Sequence, residues 1–108
     1  MPKQVKKATV PLDTSLEQML ISAVRYACGR RTYIVSDTVS YIRDLIPQLS
    51  DWCISVLIRD FEANIEMEGR VPEHSEMIWG AEQDRKQWMS LFADLKSETR
   101  KRNEVNLL

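Results

Sequence analysis

Ser50-Asp51-Trp52-Cys53-Ile54-Ser55-Val56-Leu57-Ile58-Arg59-Asp60-Phe61-Glu62-Ala63-Asn64-Ile65-Glu66 is the stretch that decides the fold. Ile54, Leu57, Ile58, Phe61 and Ile65 recur at steps of three and four, so a 3.6-residue period gathers them on one stripe. Asp60, Glu62 and Glu66 fall on the opposite, solvated side. Ser50 or Asp51 supplies an oxygen to cap the first turn, and Gly69 is the expected stop.

The same period extends in both directions. Upstream, Pro47 disfavours helix at the residue before it and separates this element from a second helix. That helix is capped by Ser36 or Asp37 and turns Val39, Ile42, Leu45 and Ile46 inward. Thr32–Val35 is β-branched and aromatic, and reads as extended chain or a brief edge strand. A first helix opens at Thr14, with Glu17 three residues on in a capping-box pattern. Leu16, Met19, Leu20, Ala23, Val24 and Ala27 mark its expected inner face. Gly29 follows at the position where a positive φ costs glycine nothing.

Downstream, residues 69–76 form a polar loop. A last helix runs from about Met77 or Ala81 to about Lys101, with Trp88, Leu91, Phe92 and Leu95 inward. The fold class is therefore all-α, a compact bundle of about four helices. Residues 1–12 are a flexible lead, residues 13–102 a single helical domain and residues 103–108 a tail.

Composition narrows the functions. The 108-residue chain holds 15 Lys and Arg against 16 Asp and Glu, a formal charge of -1. This argues against broad attraction to nucleic acid or anionic membrane. An apolar fraction of 44% is enough for a core, which argues against disorder. Cys28 and Cys53 lack metal-ligand spacing and read as reduced, buried thiols. The basic start, Met1 to Lys7, precedes no apolar signal region, and no run of about 18 apolar residues is present. The expected location is cytoplasmic.

Catalytic signatures are absent. His74 is the only histidine, so two-histidine metal sites and histidine-dependent triads are arithmetically weak. No Gly-rich phosphate loop, HExxH or GxSxG occurs. The expectation is a non-enzymatic chain without metal or cofactor. A helix-turn-helix built from helices two and three, hence a small DNA-binding regulator, is the alternative. Its recognition helix would open with Ser50, Asp51, Trp52 and Cys53, which is poor major-groove chemistry.

Recognition chemistry concentrates in Arg25-Tyr26-Ala27-Cys28-Gly29-Arg30-Arg31-Thr32-Tyr33. Arginine forks grip phosphates or carboxylates, and tyrosine faces stack. Arg30 and Arg31 form a candidate anion clamp, with Thr32 as donor, Tyr33 as stacking platform and Arg25 assisting. The alternative is structural: the arginines complement the helix dipole and the tyrosines fill gaps. Trp79 and Trp88, large apolar groups on a charged helix, are candidate interface residues for a homodimer.

The string Ala23-Val24-Arg25-Tyr26-Ala27-Cys28-Gly29-Arg30-Arg31-Thr32-Tyr33-Ile34-Val35 resembles a stretch of small uncharacterised bacteriophage and prophage accessory proteins. The resemblance covers residues 23–66. It implies a chain that acts on host machinery, including defence systems, by binding. The expected partner is a host protein or a phosphorylated, nucleotide-like ligand.

Overall fold

The computed structural model describes residues 12–30 and 32–107, with the side chains of residue 32 and of residues 105–107 outside the description. Five α-helices follow in order: α1 (Thr14–Ala27), α2 (Thr32–Leu45), α3 (Asp51–Arg70), the short α4 (Ser75–Trp79) and α5 (Glu82–Leu107). No strand occurs among the described residues. The all-α bundle expected from the period is the observed fold. Residues 1–11 of the expected lead lie outside the described residues.

Helix α3 packs against α1, α4 and α5. Ser50 caps it, its side chain accepting a hydrogen bond from the Cys53 amide at 3.1 Å. Cys53, Ile54, Leu57 and Phe61 are buried along it. Phe61 meets the rings of Trp79, Trp88 and Phe92 at centroid distances of 6.2, 5.9 and 5.7 Å. Trp88, Leu91, Phe92 and Leu95 are buried on α5, matching its expected inner face. Val39, Ile42 and Ile46 are buried on the α2 side, with Leu45 partly covered.

Several elements depart from expectation. Thr32–Val35 is the first turn of α2 rather than a strand. Val35 is fully buried and lies four residues before Val39, so core burial outweighs the modest helix penalty of β-branched side chains. Helix α3 runs through Gly69 to Arg70 and is ended by Pro72, which disfavours helical backbone at Val71. The expected loop at 69–76 holds a 3-10 turn at Pro72–His74 and the start of α4. The backbone of α5 also continues into the expected tail, as far as Leu107.

The most consequential departure is the rotation of α1. Its N-cap is Asp13, whose carboxylate accepts from the Ser15 amide at 2.8 Å. Glu17 closes no capping box there. It is 2% exposed, and its two oxygens accept from the Ser50 amide and the Ser50 hydroxyl, both at 2.7 Å. A carboxylate at the N-terminus of α3 also meets the positive end of that helix. With Glu17, Ile21, Val24 and Ala27 turned inward, Leu16, Met19 and Ala23 of the expected inner face point to solvent.

Side-chain ion pairs tie the helices together. Arg85 on α5 grips Glu68 on α3 through two hydrogen bonds of 2.9 and 2.8 Å, and the Ser75 hydroxyl donates to the same carboxylate. Arg102 donates to Glu98 and Asp51, each at 2.8 Å, and to the Ile46 carbonyl at 3.1 Å. Arg43 joins α2 to α5 through Asp94.

Candidate functional site

Helix α1 ends at a glycine turn that fixes where the arginine–tyrosine segment stands. Gly29 has φ +80°, and a Cβ there would lie 2.4 Å from the Met77 carbonyl oxygen. Both the backbone conformation and the contact with α4 demand glycine. The turn leads into α2, which packs against α1 and α5, and the segment's side chains divide between two concavities.

Arg30 and the tyrosines share one of them. The Arg30 guanidinium carbon lies 4.6 Å from the centre of the Tyr26 ring, a cation–π stack. Tyr26 and Tyr33 are 61% and 63% exposed. With Ile34, Glu76 and Ala81 they border an open hollow of about 910 Å³. Arg30 is exposed and makes no ion pair with any described residue.

Arg25 belongs to the other side of the turn. Its Nε and a terminal nitrogen donate to the two Asp60 oxygens at 2.7 and 3.2 Å. Those hydrogen bonds and the Asp60 charge raise the Arg25 pKa above its ordinary value. Arg25 therefore bridges α1 to α3 and does not join Arg30 in a clamp. Arg31 lies outside the described residues. Thr32 opens α2 through its backbone, and its expected donor role also falls outside the description.

Trp79 and Trp88 cannot serve as interface residues in this fold. Both are 0% exposed and surround Phe61 in the core. Their size recommends them equally for a core or a contact surface, and only the packing distinguishes the two. The large apolar side chains actually presented to solvent are others, among them Leu16, Met19, Tyr26, Tyr33 and Tyr41.

Arg25 and Asp60 line a groove of about 500 Å³ between α1, α3 and α4, together with Cys28, Asn64, His74 and Met77 among others. Cysteine, histidine and asparagine are the residue types of a thiol hydrolase. The electrostatics run the other way. Burial and, secondarily, the Asp60 charge push the Cys28 thiol up to about 12, which suppresses the nucleophilic thiolate. The hydrogen bond described at Cys28 Sγ comes from Asn64 at 4.0 Å, and His74 makes none to it. No group of three His, Cys, Asp or Glu suited to a metal ion occurs among the described residues.

The first turn of α3, the recognition-helix position of the regulator reading, faces Glu17 from α1, and its Asp51 pairs with Arg102 of α5. The exposed group at this turn is the Asp51 carboxylate, which Arg102 neutralises, and no free cation for a phosphate is contributed by the turn's described residues. No described helix is long and apolar enough to cross a membrane. No family model, curated protein or solved structure matches the chain.

Proposed function

We propose that this chain is a non-enzymatic binding protein whose contact surface is the Tyr26–Arg30–Tyr33 patch at the α1–α2 turn. One observation carries the reading. Two exposed tyrosines and an arginine that pairs with no described acid border a single open hollow. Tyrosine and arginine are the residue types enriched at interface hot spots. A guanidinium pre-stacked on a ring also loses less freedom when it binds.

A protein partner suits this surface better than a phosphorylated ligand. Arg25 is committed to Asp60 on the far side of the turn, so Arg30 supplies the one guanidinium among the described residues of the hollow. The Glu76 carboxylate borders the same hollow and repels a polyanion. The partner's matching chemistry is an acidic side chain beside an apolar or aromatic group. The resemblance of residues 23–66 to phage accessory proteins makes a host factor, defence factors included, the partner class.

Affinity capture tests the reading. Immobilised wild-type chain should retain a host protein that the Arg30→Ala/Tyr33→Ala chain does not. A thermal-shift panel of nucleotides separates the ligand classes. A nucleotide at 100 times its dissociation constant would add about 2.7 kcal/mol of stability, and such a gain would replace the protein partner with a small ligand.

A further inference from the structure

We propose that two copies of this chain pair through the outward face of α1, antiparallel and around a two-fold axis. Helix α1 carries more apolar surface than one face can bury. Ile21, Val24 and Ala27 occupy the inner side, while Leu16 and Met19 remain 49% and 66% exposed and Ala23 and Tyr26 lie on the same outer side. No described residue packs over them.

The outer face has the composition of an interface core. Ser15, Gln18, Met19, Ser22, Ala23 and Tyr26 enclose a shallow hollow of about 640 Å³, and none of them is charged. Interface cores are depleted in charge and enriched in methionine and aromatic residues. The charges stand at the two ends. Asp13 is exposed at the N-terminus of α1, and Arg30 is exposed just beyond its C-terminus.

This pattern is its own complement. An axis between Ser22 and Ala23 sets Met19 of one copy against Tyr26 of the other, twice, as a two-fold interface requires. The small residues at the axis let the backbones approach. Antiparallel alignment brings Arg30 of each copy to the partner's Asp13 and to the positive end of the partner's α1, where the carboxylate offsets the dipole. A foreign helix would need the same acid-to-base order reversed along its length, which a second copy provides by symmetry.

Sedimentation equilibrium of the full chain over a concentration series tests the pairing. Wild type should show a reversible monomer–dimer equilibrium, the dimer at twice the 12.6 kDa of one chain. Ala23→Arg sets two like charges across the axis and should weaken dimerisation by at least about tenfold without changing helical content. Arg30→Glu should weaken it comparably at low salt, and Asp13→Lys/Arg30→Glu should return it to within about threefold of wild type. A wild-type monomer at every concentration overturns the proposal, whatever then covers the face. So does an Ala23→Arg chain that dimerises like wild type, or a charge swap no better than Arg30→Glu alone. The pairing covers Tyr26 and Arg30, two residues of the patch proposed for partner contact, so dimer and partner compete for them. Mass read without partner tests the pairing, and capture by the diluted monomer tests the partner reading.

Discussion

Removing the Glu17 carboxylate should destabilise the bundle far more than removing any solvated acid. Glu17 is 2% exposed and accepts two 2.7 Å hydrogen bonds from Ser50, the cap of the 20-residue α3. Hydrogen bonds to charged groups contribute about 1.5–3 kcal/mol each, and a buried donor left unsatisfied costs about 1–3 kcal/mol. Glu17→Ala strands the Ser50 amide, removes the acceptor of its hydroxyl and opens a void, for a loss of about 3–4 kcal/mol. Glu17→Gln keeps the shape and one acceptor oxygen but loses the charge, for about 1–2 kcal/mol.

Urea melts followed by helical CD at neutral pH and fixed protein concentration read these losses, with the exposed Glu62→Ala as control. In a domain of this size about 3 kcal/mol corresponds to roughly 12 °C or more in Tm. A Ser50→Ala partner completes a double-mutant cycle, whose coupling should exceed about 1 kcal/mol. If Glu17→Ala falls within about 1 kcal/mol of the Glu62 control, the inward rotation of α1 is wrong. The outward face built on that rotation would then go with it.

Two further outcomes follow from the packing. Gly29→Ala forces a side chain into a φ of +80° with its Cβ 2.4 Å from the Met77 carbonyl oxygen, and should cost more than about 2 kcal/mol in the same melts. Glu68, gripped first by Arg85 and then by Ser75, is held down from 4.5 to about 2. A depressed carboxylate contributes stability above its unfolded pKa and loses it as pH falls through the folded one. Wild type should therefore lose stability progressively from about pH 4.5 to about pH 2, and Glu68→Gln, already lacking that contribution, should show a shallower acid limb.

The helices were largely legible because their signals are local. Ser50 caps the turn that follows it, Trp88, Leu91, Phe92 and Leu95 repeat at helical spacing, and Gly29 takes the positive φ expected after a helix end. The rotation of α1 was not legible, because the partner that draws Glu17 inward is 33 residues away. A buried glutamate and a solvated one look alike in sequence. Thr32–Val35 misled for the opposite reason. Its β-branched and aromatic residues favour strands locally, while the four-residue step from Val35 to Val39 already marked the buried stripe. At the site, Arg30 and Tyr33 border one hollow, whereas Arg25 is held by Asp60 on a helix remote in sequence.

The central claim is that Arg30 and Tyr33 serve contact rather than fold. Comparing Arg30→Ala/Tyr33→Ala with wild type, by urea melt and by calorimetric titration against the captured partner, tests it most directly. The account predicts stability within about 0.5 kcal/mol of wild type, as for surface positions, and affinity lower by at least about 30-fold, as for paired hot spots. A double variant that unfolds, or one that binds its partner as tightly as wild type, would contradict it.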